Sequence, residues 1–366
     1  MSIDTSKLNG MNENVMHRHY ESSLSRSHTI ATLSSPGTMA LIVGATGAGK
    51  SRVLRQTYTE AFGEPSTWNN GHIPIICCNM NNADRAYFSP RVLMQAMLKN
   101  LCNVFVCKPS DIDDWQMDAD LKEAVKRAMR DMKKKDMSET TMRETVLEMG
   151  KIRNLQTMLF DEGNLMCLTQ RHRFSSDYLE SLKALAIELK IRILIAATYD
   201  ILEVWNHTAQ INRRMRTIHL QRYRIDVEDE YAEFAGIVSA FEFDYGLPCG
   251  LLMKKLEIIH NQTYGVPGEV ASLIERAIEI AVSMKHNVVE WSDITESFHY
   301  PLQLRRLKRE IDEGELQLTR DETVADQAEA AENAAMADSN TKKAKRGKPA
   351  YRPKDYSVTA PAIFAA

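Results

Sequence analysis

The chain has 366 residues, of which 44% are apolar, and its formal net charge is −3. This length predicts two or three domains, and the apolar content is sufficient for buried cores. The small net charge excludes a polycation that coats nucleic acid, so any DNA contact must come from a local basic patch. No apolar run approaches the roughly 20 residues of a transmembrane helix, and the polar N-terminus is unlike a signal peptide. We therefore expect a cytoplasmic protein without a membrane partner.

The N-terminal residues 1–35 are polar and rich in Ser, Asn and His, and we interpret them as an extension that lies across the first domain. The tripeptide His17-Arg18-His19 lacks Cys or acidic partners at ligand spacing, which favours a solvated segment over a metal cluster. Six cysteines, at positions 77, 78, 102, 107, 167 and 249, show no C-x-x-C spacing. They indicate small buried residues in a reducing compartment rather than a metal site.

A glycine-rich loop follows the apolar run at residues 39–43 and precedes a helical pattern at residues 52–62. The loop reads Gly44-Ala45-Thr46-Gly47-Ala48-Gly49-Lys50-Ser51, which matches the Walker A spacing G-x-x-x-x-G-K-[ST]. Its glycines allow successive N–H groups to turn toward an anion. We expect Lys50 to reach the β and γ phosphates of ATP and Ser51 to coordinate Mg²⁺, at the positive end of the helix.

A second strand is predicted at residues 73–78, and Ser89-Pro90 predicts the start of a helix that runs to about Val106. The highly charged residues 109–151 are also expected to be helical. Within them, one helical face carries four basic side chains: Lys126, Arg130, Lys133 and Lys134. Two interpretations stay open for this face, a solvated surface or a stripe that contacts nucleic-acid phosphates.

An apolar strand is predicted to end at Asp161 and Glu162. In a P-loop ATPase, an acid at this strand end holds Mg²⁺ and a neighbouring glutamate polarises the attacking water. We therefore assign Asp161 to the metal and Glu162 to the catalytic base. After a helix at residues 175–189, the next strand, at residues 191–197, ends at Thr198. We expect the Thr198 hydroxyl to sense the γ-phosphate or to position the water.

Arg213 and Arg214 precede a short predicted strand at residues 217–220. A P-loop site leaves the transferred phosphoryl oxygens short of positive charge, and an arginine from a neighbouring subunit can supply it. Residues 226–300 then show helical apolar spacing over a length that suits a lid above the nucleotide. These patterns predict an ATPase core at residues 36–225 and an α-helical lid at residues 226–304.

The composition changes beyond residue 304. Residues 310–332 are largely acidic and become rich in alanine, whereas residues 341–354 hold seven basic residues and no acid. So little apolar material predicts a flexible tail over residues 305–366, for which a helical start is left open. Its basic end is interpreted as a docking peptide or a phosphate-contacting arm, with a solubilising tail as the alternative.

The order of Walker A loop, Walker B Asp-Glu, strand-end threonine and arginine pair resembles an AAA+ ATPase. Such a protein is an α/β fold with a P-loop core, in which helices flank a parallel sheet, and a C-terminal α-helical lid. More narrowly, residues 35–300 resemble the TniB/TnsC group of transposition ATPases. The narrower resemblance rests on Asp161-Glu162-Gly163-Asn164, the helix at residues 179–185, Arg213-Arg214, Leu247-Pro248, and Gly265-Val266-Pro267-Gly268-Glu269-Val270 leading into Ala277-Ile278.

The resemblance implies an ATP-dependent regulator of transposition that binds double-stranded DNA and oligomerises on it as a ring or filament. Such a regulator links a target-selection adaptor to the transposase, and ATP hydrolysis controls its assembly and disassembly. Carried over, Arg214 matches the arginine finger best by its distance from Leu220, and Arg213 is the alternative. Many AAA+ proteins place a sensor arginine at the start of the third lid helix, whereas Glu269 stands near that place here. Two other functions stay open: another AAA+ DNA machine such as a helicase loader, and a P-loop signalling scaffold without DNA binding.

Overall fold

A single parallel sheet of five strands organises the chain, with the order β2-β3-β4-β1-β5. The computed structural model describes residues 15–68, 71–80, 87–106, 110–132, 137–168, 175–206 and 215–319, apart from the side chains of residues 175, 205 and 206. The strands are β1 Met39–Gly44, β2 Ile75–Asn79, β3 Thr157–Asp161, β4 Arg192–Ala197 and β5 Met215–Leu220. Each strand predicted from the sequence is present within one or two residues of its expected position.

Twelve α-helices are present among the described residues; some pack on the sheet and others form a helical region beyond it. They are α1 Arg18–Leu33, α2 Lys50–Ala61, α3 Pro90–Leu101, α4 Ala119–Met132, α5 Glu139–Ile152, α6 Ser175–Leu189, α7 Ile201–Asn206, α8 Glu228–Asp244, α9 Leu256–Thr263, α10 Pro267–Ser283, α11 Trp291–Glu296 and α12 Pro301–Gln317. Strands β1 and β4 are apolar and almost wholly buried, as expected for a parallel sheet with helices on both faces. The predicted α/β fold, a parallel sheet flanked by helices, is therefore confirmed.

The order of the strands in the sheet places the ends of β1, β3 and β4 next to one another. β4 lies between β1 and β3, with Val43 opposite Ala197 and Phe160 opposite Ile195. Because all the strands are parallel, their carboxyl ends lie at one edge of the sheet, where α/β proteins bind ligands. The Walker A loop, the Asp-Glu pair and Thr198 thus all follow strands that end at this edge.

Helices α8 to α11 form a second hydrophobic cluster, built around buried side chains such as Phe234, Ile259 and Ile274. These helices correspond to the region expected to form the lid. The described residues up to Leu318 nevertheless belong to one compact unit. The helical region is therefore packed against the sheet domain rather than separated from it by a linker.

Helix α3 ends at Leu101, five residues before the predicted end at Val106. The cause is Arg153, whose guanidinium is fully buried and donates to the backbone oxygens of Leu101 at 2.8 Å, Gly71 at 2.6 Å and Asn103 at 3.3 Å. The same guanidinium stacks 4.3 Å from the Trp115 ring centroid. It satisfies carbonyl groups at the helix end that would otherwise be buried without a donor.

The boundary predicted for the flexible tail, residue 305, is too early in the chain, because residues 301–317 form α12. Ile311 is fully buried in the sheet-domain core, and Leu307 and Leu318 pack against that core. Arg222 fixes the helix further through Glu315 at 3.1 Å, and the Tyr264 hydroxyl donates to Asp312. Residues 320–366, the remainder of the predicted tail, lie outside the described residues.

The N-terminal extension contributes α1, which packs against α2 and β5 through a buried face that includes Tyr20 and Leu24. The solvated interpretation of His17 is wrong, because His17 is buried and its Nδ1 lies 2.9 Å from the Tyr223 hydroxyl. Burial of the cysteines holds for Cys78 and Cys102 but not for Cys77 and Cys249, which are exposed. No helix in the described part of the chain is long and apolar enough to cross a membrane.

Candidate nucleotide-binding site

The Walker A loop forms a backbone cradle between β1 and α2. Gly47 and Gly49 have φ angles of 77° and 98°, in the left-handed region that favours glycine. Gly49 is also the N-cap of α2, so the free N–H groups at the start of that helix face the loop. Loop amides and helix N-terminus together make a binding site for an anion.

Lys50 lies inside the cradle, where its ammonium group donates to the backbone oxygens of Gly44 at 2.9 Å and Ala45 at 2.6 Å. Burial lowers the pKa of Lys50 to about 8, although the carboxylates of Glu310, Asp161 and Glu162 act in the opposite direction. Three acids therefore act on the lysine, and within the described part of the chain its hydrogen-bond acceptors are the loop's own carbonyls, which a phosphate can replace.

The Asp-Glu pair lies at the carboxyl end of β3. Asp161 is the last residue of that strand, and its Oδ1 accepts a hydrogen bond of 2.9 Å from the N–H of Glu162. Glu162 has a φ of 59°, a left-handed conformation that is uncommon for a residue with a side chain. Such backbone strain is found preferentially at functional sites, where the surrounding structure holds it in place.

A cleft of about 500 Å³ connects these groups. Its walls include the loop residues from Thr46 to Ser51, together with Glu162 and Thr198. The Thr198 hydroxyl donates to Asp200 at 3.4 Å and lies at the end of the strand between β1 and β3. The structure thus brings Lys50, Ser51, Glu162 and Thr198 to one cavity, with Asp161 close enough to Lys50 to influence its charge.

The other end of the cleft was not foreseen from the sequence. It is lined by the N-terminal residues His17 and Tyr20 and by Phe241 of α8. The Tyr20 ring carries the Arg52 guanidinium 4.6 Å from its centroid, and burial, with help from His19 and Arg52, lowers the pKa of His17 to about 4. The neutral imidazole and the aromatic rings add apolar surface to the cleft beside the Arg52 guanidinium. The sequence signal for this contact was the helical spacing of Tyr20, Leu24 and Ser27, which indicates that one face of α1 is buried.

The residues of the cleft fit Mg²⁺ and ATP. The loop amides and Lys50 provide donors for phosphate oxygens, and Ser51 and Asp161 provide the oxygen ligands that Mg²⁺ prefers. Magnesium, when bound, would neutralise charge that develops on the transferred phosphoryl group. Glu162 would accept a proton from the attacking water, and Thr198 would orient that water or a phosphate oxygen by hydrogen bonding.

The structure does not test two groups of predicted residues in full. Arg213 and Arg214 lie outside the described residues, as do Lys133 and Lys134. On α4, Lys126 pairs with Asp113 at 2.5 Å, and Arg130 pairs with Glu123 at 2.6 Å. Both pairs are solvent-exposed and of the kind that contributes little to stability. They reduce the local positive charge that would attract a phosphate backbone.

Two acids from the C-terminal helices also lie near the cradle. Burial raises the pKa of Glu310 on α12, with Asp200 and Glu269 adding to the effect and Lys50 opposing it. Glu269 at the start of α10 is bonded to His299 at 2.9 Å. Among the described residues no group of three or more His, Cys, Asp or Glu side chains forms a separate metal site.

Comparison with known proteins places the fold and the site in context. Residues 116–225 match the model of a family described as "Bacterial TniB protein". No curated protein sequence matches the chain.

Among solved structures, Cdc6p from Pyrobaculum aerophilum is 13% identical with a TM-score of 0.52, over 81% of this chain and 70% of that one. The Walker-type ATPase PABY2304 of Pyrococcus abyssi is 14% identical with a TM-score of 0.46, over 82% and 75%. The Aeropyrum pernix ORC2 protein is 13% identical with a TM-score of 0.47, over 80% and 71%. At such low identity these likenesses concern the fold alone, and the Cdc6p match supports it.

The segment that matches the family model holds both Asp161-Glu162 and Thr198. The Walker A loop lies before it in sequence and beside it in the sheet. Sequence family, sheet order and site geometry therefore agree: residues 116–225 match the TniB family model and form part of a P-loop α/β fold with a candidate nucleotide-binding cleft.

Proposed function

We propose that this ATPase is an ATP-dependent regulator of transposition that oligomerises on double-stranded DNA and links a target-selection adaptor to the transposase. The observation that carries the proposal is the cleft that joins the Walker A loop to Glu162 and Thr198 across adjacent strands. A site of this kind can bind ATP and hydrolyse it, and so can time the assembly and disassembly of an oligomer. The DNA and transposition parts of the proposal come from the resemblance to the TniB/TnsC group.

Assembly of several subunits is supported by the position of β5. Met215, its first residue, pairs with Met39 at the amino end of β1, whereas the Walker A loop leaves the carboxyl end of β1. The first residue of β5 thus lies at the edge of the sheet opposite the chain's own phosphate site. The two edges are roughly 15 Å apart, which is the length of a strand of this size. We therefore propose that Arg214, or alternatively Arg213, acts as a finger on a neighbouring subunit's ATP.

The experiment that tests the proposal measures binding of a fluorescent duplex by anisotropy, with MgATP, with MgADP and without nucleotide. Glu162→Gln should bind the duplex tightly in MgATP, because it retains the nucleotide, and Lys50→Ala should show no ATP-dependent binding. Duplex binding that is independent of nucleotide would contradict the regulator function. Complete absence of DNA binding would favour the signalling scaffold, and ATP-dependent loading of a helicase would favour a helicase loader.

DNA contact by the α4 face is a separate part of the proposal. Lys126 and Arg130 have acidic partners, but exposed pairs of this kind exchange readily for phosphate. Neutralising Lys126, Arg130, Lys133 and Lys134 together should lower duplex affinity and flatten its dependence on salt. Arg143→Ala, which removes a half-buried arginine paired with the exposed Glu188 on α6, is the control for loss of a basic side chain elsewhere. If the duplex affinity and its dependence on salt did not change, the α4 face would be a solvated surface without DNA contact.

The partner-binding role is proposed for the basic C-terminal end. Deletion of residues 321–366 should leave ATP hydrolysis and oligomerisation nearly intact, because the cut falls after α12 and its contacts with the core. Recruitment of the transposase should be impaired, since a tethered basic peptide raises the local concentration of a weak ligand along an oligomer. Normal transposition by the truncated chain would reduce this segment to a solubilising role.

A further inference from the structure

The C-terminal helices bring a carboxylate, not a cation, to the phosphate-binding loop. Helix α10 begins against this loop, and the N–H of Gly268 donates to the carbonyl of Gly47 at 3.1 Å. A Cβ at residue 268 would lie 2.1 Å from that oxygen, so this approach requires glycine. Glu269 follows in the first turn, and its Oε1 lies 3.5 Å from where a side chain on Gly47 would begin. The carboxylate therefore borders the cradle built for an anion.

A carboxylate at this place opposes the ligand, because two like charges in a partly buried site repel each other strongly. Glu310 of α12 adds a second negative charge that acts on both Glu269 and Lys50. Lys50 is the cation of the Walker A motif, and its positive charge partly offsets the negative charge of these acids. A group that restrains the Glu269 carboxylate would limit its repulsion of phosphates bound at Lys50.

His299 is placed to hold the Glu269 carboxylate by a hydrogen bond. Its Nε2 lies 2.9 Å from Glu269 Oε2, and the two side chains are only 22% and 15% exposed. His299 belongs to the short connection between α11 and α12, so the contact ties the start of α10 to the segment that leads into α12. With Oε2 held by the imidazole, Glu269 is fixed in one orientation and cannot turn both oxygens toward the loop.

We propose that His299 is a positioning residue for nucleotide binding, which holds the Glu269 carboxylate by a hydrogen bond and limits its approach to the Walker A loop, so that a polyphosphate can bind beside it. The inference rests on the proposed nucleotide function of the cleft. His299 acts through Glu269 and does not itself contact the ligand. The pair thus occupies the region in which many AAA+ proteins carry a lid arginine, and it removes a repulsion instead of adding a direct attraction.

The test compares the dissociation constants of MgATP and MgADP by isothermal titration calorimetry on the full-length chain. His299→Ala should weaken MgATP binding about tenfold and MgADP binding about threefold, since ATP carries more negative charge toward the exposed carboxylate. Glu269→Gln should bind MgATP at least as tightly as the parental chain. The double variant should recover most of the affinity lost in His299→Ala, which loss of a merely structural contact would not allow.

His286→Ala is the matched control, because it breaks another histidine–carboxylate pair of the C-terminal helices, with Asp293 at 3.0 Å, and should leave both affinities unchanged. Circular dichroism melts establish that each variant is folded. If His299→Ala does not fold, His299→Gln, which replaces the imidazole with an amide of different geometry, takes its place. Unchanged affinities, or a double variant as weak as His299→Ala, would overturn the inference. Failure of the parental chain to bind MgATP would instead overturn the proposed nucleotide function.

Discussion

Lys50 binds phosphate well only while its ammonium group is protonated. Because the side chain is buried, it loses that proton at a pH close to the physiological range. The pKa of Lys50 is lowered to about 8, chiefly by burial. Bound phosphates favour the charged form, so the bound pKa is higher than the free one and binding takes up a proton above this value. The dissociation constant of MgATP should therefore increase about tenfold between about pH 7 and pH 9.

Calorimetry in buffers of different ionisation enthalpy measures this proton uptake directly. The expected uptake is near zero at neutral pH and rises toward one proton per nucleotide as the pH passes the pKa of the free lysine. An affinity that does not change with pH, together with no proton uptake, would show that Lys50 stays charged in the free site.

Glu162→Gln should separate binding from hydrolysis. The amide keeps the size of the side chain but cannot accept the proton of the attacking water, so turnover should fall by roughly 100-fold or more. MgATP affinity should change little, because Glu162 is assigned to the water rather than to the phosphates. A phosphate-release assay and calorimetry measure the two quantities, and turnover at the parental rate would remove Glu162 from the role of base.

The parts of the cleft that the sequence predicts belong to local patterns, namely the Walker A loop and the ends of the strands that precede Glu162 and Thr198. The Walker A loop has its full chemistry within eight consecutive residues, from Gly44 to Ser51, and its motif fixes their relative geometry. The Glu269–His299 contact spans 30 residues and joins two separate elements. Nothing local in either segment predicts it, because the contact depends on how α10 and the start of α12 pack.

At the level of single elements, Arg153→Ala is expected to be strongly destabilising. The buried guanidinium serves the carbonyl groups of Leu101, Gly71 and Asn103, and its loss leaves them without donors. We expect a decrease of about 3 kcal/mol or more in the free energy of unfolding, since each buried unsatisfied group costs about 1–3 kcal/mol. Urea unfolding followed by circular dichroism measures the change.

Arg143→Ala is the control for this substitution, because Arg143 is an arginine whose partner, Glu188, is exposed. Its loss should cost less than about 1 kcal/mol. Equal effects of the two substitutions would show that Arg153 contributes no more than a surface ion pair, and that another cause ends α3 at Leu101.

Elements with a continuous apolar pattern were predicted well, and those with mixed composition were not. Strands β1, β3 and β4 are apolar runs that can be buried on both faces. A helical start to the tail was among the expectations, but the packing of α12 on the core was missed because its basic and acidic residues suggested disorder. Its residues Leu307, Ile311, Gly314 and Leu318 nevertheless recur at helical spacing. Its core-facing stripe is narrow, and average composition does not detect a narrow stripe.

For the whole molecule, a finger that acts across a subunit boundary predicts complementation. Arg214→Ala should bind MgATP but hydrolyse it on the order of 10³-fold more slowly. Lys50→Ala should not bind MgATP, yet it retains Arg214. A mixture of the two variants should regain part of the parental activity, because each supplies what the other lacks. Absence of rescue at concentrations at which the parental chain assembles would argue against a finger in trans.

The central claim is that ATP drives assembly of this chain on DNA, and negative-stain electron microscopy of the full-length protein tests it most directly. Four samples are compared: protein alone, with MgATP, with duplex DNA, and with both, and Lys50→Ala is imaged under the same conditions. We predict rings or filaments with MgATP and duplex together, and none with Lys50→Ala. Monodisperse particles of single-subunit size in all four parental samples, or assemblies that form equally well with Lys50→Ala, would contradict the account.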